Sequence, residues 1–222
     1  MFTLHHLMES RSQRIVWLLE MVGAEYEIKA YRRDPVTNLA PEAYKKLHSL
    51  GAAPLLEHGD LMLAESGAIC EYIVQQTGTD ELLCKADPKA HIDVQFWSHF
   101  SEGSFLPPLV TSMVLNKARE KAKPFFVKFI ANKIIDAIMD AYFGKVIARN
   151  LAYVEAHLAK SAYFVGDTPT VADVQMSFGL EALQKSGKLT SFPNMTAYVA
   201  RLHALESYQS AMSKMAEAEA QA

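Results

Sequence analysis

Cysteine is nearly absent from this chain: Cys70 and Cys84 are the two it has. Two thiols are too few for a disulfide framework and fit a reducing compartment, with the cytosol as the default expectation. No Cys-x-x-Cys occurs, which argues against a dithiol redox mechanism. Positive charge is not in excess either. The formal charge is −3, whereas broad nucleic-acid binding usually needs a basic face. No apolar run approaches the ~18 residues of a membrane span. The opening Met1-Phe2-Thr3-Leu4-His5-His6 has no basic stretch followed by an apolar one, so no secretory signal is expected. No cluster of His, Cys, Asp and Glu has metal-ligand spacing, and no metal is expected. His5 and His6, on opposite faces of a first strand, read as structural.

What is present is ordinary globular composition, 50% apolar and 21% charged over 222 residues. A chain of this size can bury roughly 70% of its unfolded surface. The first eighty residues switch between periods of two and of 3.6. Residues 2–7 suit a buried strand. Residues 12–22 carry apolar side chains at 15, 18, 19 and 22, with Gly23 placed to end the helix. Residues 26–31 alternate as a strand, 41–48 suit a short helix, and 55–57 with 61–63 flank a His58-Gly59 turn as a hairpin. Residues 66–76 put Ile69, Cys70, Ile73 and Val74 on one helical face. The order βαβαββα matches the thioredoxin-like fold.

Residues 80–88 are polar, end in Pro88 and read as a linker. Beyond them the pattern is helical throughout. The expected division is a thioredoxin-like domain over 1–79, a linker over 80–88, and an all-helical bundle over 89–222. Pro107-Pro108 predicts a kink in the first helical stretch. The tail from Ala216 is helix-compatible but expected to fray. Thr170 and Asp173, three apart behind Pro169, have the spacing of a reciprocal helix cap.

The candidate site centres on Ala53-Pro54 and Glu65-Ser66. Proline cannot donate to a ladder and sits at the mouth of a strand. If Ala53–Pro54 is cis, the Ala53 backbone turns outward, free to pair with an extended ligand by strand addition. Ser66 falls at a helix N-cap, where free N–H groups and the helix dipole favour a carboxylate. Glu65 beside it suits an ammonium. Together they fit a small peptide with an amino group and carboxylates.

That constellation, with the Thr170–Asp173 cap, resembles the cytosolic glutathione transferase family over most of the chain. It is most similar to bacterial and fungal members whose first helix opens with a Ser-Arg-Ser turn, here Ser10-Arg11-Ser12. The resemblance implies glutathione as co-substrate, hydrophobic electrophiles or hydroperoxides as second substrates, and a homodimer. It implies that Glu65 and Ser66 hold the γ-glutamyl group and that Ala53 and Pro54 meet the cysteinyl unit. Ser10, Arg11 and Ser12 are the candidates to stabilise the thiolate, by hydroxyl donation or charge. Either serine is alternatively a plain helix N-cap. Ala52 stands where the family often has a side chain for the glycyl carboxylate, which leaves Lys45, Lys46 and His48 as nearby substitutes. Phe100, Phe105 and Met113 are the candidates to line an apolar second-substrate pocket. The alternatives are glutathione-dependent peroxide or disulfide reduction at the same site, and a non-catalytic binding or interaction module of the same fold.

Overall fold

The computed structural model describes residues 1–222. The first part runs β1 (Phe2–Leu7), α1 (Ser12–Met21), β2 (Tyr26–Tyr31), α2 (Glu42–Lys45), β3 (Leu55–His58), β4 (Leu61–Ala64) and α3 (Ser66–Thr77). Its sheet has the order β2-β1-β3-β4, with β1 parallel to β2 and antiparallel to β3. β1 lies inside the sheet and is buried along its whole length, as a strand covered on both faces must be. Alternation sends His5 toward Tyr31 and Glu57, and His6 toward α1.

The second part is helical: α4 (Pro88–Phe100), α5 (Leu106–Lys121), α6 (Phe125–Ile138), α7 (Gly144–Leu158), α8 (Val171–Lys185), α9 (Pro193–His203) and α10 (Glu206–Ala220). This is the expected thioredoxin-like half followed by a helical bundle. One large core joins both halves, with Leu4, Trp17 and Ile73 from the first and Val94, Met176 and Tyr198 from the second, and a small cluster of Leu7, Ala40, Tyr44 and Leu55 lies apart from it. No helix is long and apolar enough to cross a membrane.

Three local expectations are corrected. The break in the first helical stretch is a wide π-type turn at Ser101–Phe105, and Pro107 and Pro108 sit in the first turn of α5. Proline is tolerated there because a first-turn N–H lacks a helical partner anyway. The Ser104 carbonyl beside the break instead accepts from Asn150 Nδ2 at 2.7 Å. Ser66 is the first helical residue of α3, and Glu65 takes the cap position at φ +70°. The tail is helical and bonded to the first half. α10 runs to Ala220, Glu219 bonds His6, and the Ala222 carbonyl accepts from Arg32.

The reciprocal cap forms at α8, with Thr170 and Asp173 bonding each other's backbone N–H groups. Asp173 also accepts from the Phe164 N–H and the Tyr198 hydroxyl. The carboxyl is fully buried, so these donors replace its lost water. Asp173→Ala would strand two backbone N–H groups and a tyrosine hydroxyl. The expected loss is about 3 kcal/mol, read as a thermal midpoint lower by about 6–12 °C. A drop of less than two degrees would show that the cap contributes little.

Candidate functional site

The turn after β1, the start of β3 and the start of α3 meet at one end of the sheet. Between them and the π-type turn lies a cleft of about 230 Å³, lined by Arg11, Ala53, Pro54, Glu65, Ser66 and Glu102 among others. The Ala53–Pro54 bond is cis. Leu55 is the first residue of β3 in the ladder, so Ala53 reaches the cleft before sheet pairing begins, and its N–H and C=O have no backbone partner. At the other wall, the N–H groups of Gly67 and Ala68 fall in the first turn of α3 and lack helical acceptors. Glu65 holds a left-handed φ, a conformation that costs a non-glycine residue on the order of 1 kcal/mol. Such strain survives where the surroundings fix it.

Behind this wall is a side chain that sequence reasoning missed. Arg14 is fully buried. Its Nη1 donates to the Gln175 carbonyl at 2.7 Å, and Nη2 donates to Ser66 Oγ at 2.6 Å and to Glu102. Burial lowers its pKa from the ordinary arginine value, and Glu102 opposes the shift. Glu102 also pairs with Arg11 Nε at 3.2 Å. The Phe178 ring lies under both guanidinium groups, 5.8 Å from Arg11 and 6.0 Å from Arg14, a cation–π arrangement. Thus Ser66 is not simply a helix-start hydroxyl: it is held from behind by a cation. The one available signal was an arginine inside the apolar pattern of α1.

The turn residues divide. Arg11 lines the cleft, and it also occupies the cap position of α1 without a side-chain cap bond. Ser10 and Ser12 turn inward: Ser10 Oγ lies 2.7 Å from Ser12 Oγ and accepts from the Ser12 N–H at 3.2 Å. Ser12 Oγ continues to His6 Nδ1 at 2.6 Å. Neither cysteine is at the cleft. Cys70 is buried beside Gln175, and burial pushes its thiol up to about 12.

The three apolar candidates are not brought together at the cleft. Phe105 is core, packed so closely on Gly179 that a Cβ there would lie 2.8 Å from its ring. Phe100 belongs to an aromatic cluster with Phe96, Trp97 and Tyr153. Met113 lies exposed on α5. The neighbouring cleft between α3 and α4, which shares Glu65 and Glu102, is mostly polar, with Glu71, His91, Gln95 and His99 among its walls. Of the substitutes for Ala52, Lys45 is paired with Glu42 and His48 accepts from the Leu50 N–H.

Two family models match the chain: "Glutathione S-transferase, N-terminal domain" over residues 1–75 and "Glutathione S-transferase, C-terminal domain" over 116–210. Glutathione S-transferase 3 of Schizosaccharomyces pombe is 38% identical over 185 residues, covering 83% of this chain and 75% of that protein. Glutathione S-transferase 1 of Saccharomyces cerevisiae is 32% identical over 219 residues, covering 95% and 93%. A crystal structure of a glutathione S-transferase from Actinobacillus pleuropneumoniae superposes with a TM-score of 0.78 at 30% identity, covering 96% of this chain and 92% of that one.

The geometry at Arg14 yields a stability test. Glu102→Gln leaves a buried guanidinium without its anion, a change that costs about 2 kcal/mol after allowing for the partial exposure of Glu102. The thermal midpoint should fall by about 4–8 °C. An unchanged midpoint would mean that Arg14 is held by its neutral acceptors alone.

Proposed function

The chain belongs to the glutathione S-transferase family, and on that premise we propose how its cleft performs the transfer. Glutathione lies along the cleft, its cysteinyl unit paired with the free N–H and C=O of Ala53, in the direction set by Pro54. Its γ-glutamyl carboxylate meets the first turn of α3 and the Ser66 hydroxyl, and its ammonium meets Glu65. The observation that carries this reading is the single cleft in which an unpaired stretch of backbone faces a carboxylate and a helix start. An extended peptide with charged ends of both signs is the ligand that such walls complement.

The reaction needs a thiolate, since a thiol near pKa ~8.5 is mostly protonated at neutral pH. Ser10, buried directly before the cleft-lining Arg11, supplies the hydrogen bond to sulfur once the thiol is seated against the turn. Arg11 adds positive charge, partly cancelled by Glu102. Ser12, wholly buried, acts only through Ser10. The thiolate then attacks a hydrophobic electrophile, and peroxide reduction is a secondary outcome of the same nucleophile. The second substrate enters beside Glu102, at the π-type turn that follows α4. Homodimerisation and a cytosolic setting complete the proposal. Sedimentation at twice the mass of one chain tests the dimer.

Two measurements test the site. The ultraviolet absorbance of bound glutathione, titrated against pH, should show a thiolate midpoint below that of free glutathione. Ser10→Ala should raise that midpoint by about one pH unit or more, and Arg11→Ala by less. Tight binding with no lowered midpoint would leave a binding module rather than a transferase. Separately, Glu65→Gln should raise KM for glutathione about tenfold with kcat little changed, as loss of uniform binding requires. An unchanged KM would remove Glu65 from the ammonium contact.

A further inference from the structure

Ser10, the neighbour of the cleft-lining Arg11, ends a hydrogen-bond chain that leads into the protein. Ser10 Oγ lies 2.7 Å from Ser12 Oγ, Ser12 Oγ lies 2.6 Å from His6 Nδ1, and His6 Nε2 lies 2.8 Å from Glu219 Oε1. Ser12 and His6 are buried, whereas Glu219, in the last turn of α10, is one-third exposed. An ionised carboxylate only accepts, so Glu219 fixes the imidazole tautomer with hydrogen on Nε2 and a lone pair on Nδ1. Ser12 then donates to Nδ1, and Ser10 donates to Ser12. The Leu7 carbonyl, at 3.3 Å from Ser12 Oγ, is the longer and weaker alternative acceptor. Every hydroxyl proton in the chain therefore points inward, toward a base.

We propose that Ser10, Ser12 and His6, anchored by Glu219, form a relay that receives the proton of the glutathione thiol. This rests on the reading of Ser10 as the sulfur contact. In the step, the S–H bond breaks and its proton goes to Ser10 Oγ. The Ser10 proton passes to Ser12 Oγ, and the Ser12 proton passes to His6 Nδ1. Both serines end neutral, as they began. Sulfur keeps the bonding pair as a thiolate and accepts from Ser10. His6 becomes an imidazolium paired with the Glu219 carboxylate. No group beyond the thiol and these four side chains takes part.

The surroundings suit a base that is vacant until it is used. Burial holds His6 below its ordinary imidazole range, and the Glu219 hydrogen bond and charge oppose that shift. Its ring is consequently neutral at neutral pH when no thiol is bound. Of the other charges on the elements around it, Glu27 and Lys29 of β2 are exposed and alternate onto the His5 face, Glu206 and Glu217 of α10 are exposed, and the rest are engaged elsewhere. Glu20 of α1 bonds Lys214 and Tyr26, Arg14 bonds Glu102 and Ser66, and Arg32 beyond β2 bonds the Ala222 carbonyl. Glu219 is the charge that faces the ring.

The test uses the full chain with glutathione at neutral pH, recording thiolate absorbance and proton release to a weakly buffered indicator together. In the complex the thiolate at one end of the relay and the Glu219 carboxylate at the other oppose the effect of burial on His6, so the wild type should form thiolate with roughly no net proton delivered to the medium. The His6 ring nitrogens should shift from neutral to imidazolium in nitrogen-15 NMR when glutathione binds. Glu219→Gln, a surface-side change in the last helical turn, should raise the thiolate midpoint by about one pH unit and return the proton to the medium. Ser12→Ala should do the same with His6 and Glu219 in place. One proton released per thiolate in the wild type, or a His6 ring still neutral in the complex, would overturn the relay and leave Ser10 as the sulfur contact. A thiolate midpoint unmoved by Ser10→Ala would remove that contact, and the relay with it.

Discussion

One buried cation organises this molecule. Arg14 comes from α1, and its guanidinium meets Ser66 of α3, the Gln175 carbonyl of α8 and Glu102 of the π-type turn. A charge removed from water must be surrounded by acceptors, so these four elements are placed by a single requirement. Two belong to the sheet-bearing half and two to the helical half. The relation between the halves, and hence the width of the cleft, is set where an apolar contact alone would allow sliding. The same carboxylate that neutralises Arg14 also reaches Arg11, so the wall of the cleft and its buried support share one anion.

The two adjacent histidines of β1 show how a strand distributes chemistry. Their alternation puts His5 against Tyr31 and Glu57 on one face, and His6 against Ser12 and Glu219 on the other. Each ring has a partner on both nitrogens, so neither is left as an orphaned polar group inside the sheet. The difference lies in what the partners lead to. The His5 set ends in Tyr31 and in Glu57 at the sheet's surface. The His6 set leads through two hydroxyls to the turn at the cleft.

Much of this was legible from local signals. Gly23, Pro54, the His58-Gly59 turn and the Thr170–Asp173 spacing act over a few residues, so they announced the elements of both halves. The strand order of periods gave the thioredoxin-like half, and its absence afterwards gave the bundle. The misreadings share a cause. Ser66 looks like a cap because it is a hydroxyl between a strand and an apolar helical face, but Glu65 takes the left-handed φ and moves the helix start by one. Phe105 looks like a pocket side chain because it is an aromatic of the first helical stretch, but Gly179 opens a space for it in the core. Arg14 could not be read, since its partners lie 52, 88 and 161 residues away. The polar, low-hydropathy tail suggested fraying for the same reason: its partner is at the other end of the chain.

That last contact joins residues 213 positions apart, and α10 packs against α1 along with it, Trp17 donating to Ser207. Synthesis therefore delivers the sheet-bearing half well before the helix that covers it. At ~5–20 residues per second, the interval between completing α3 and completing α10 is on the order of 10–30 s. Throughout it the His6 face of β1 and the Trp17 side of α1 lack their native cover. The nascent half is then a surface that holdase chaperones would recognise, and the final docking is a high-contact-order event that is slow by nature. Docking of α10, rather than emergence of the sheet-bearing half, marks the moment when this fold closes.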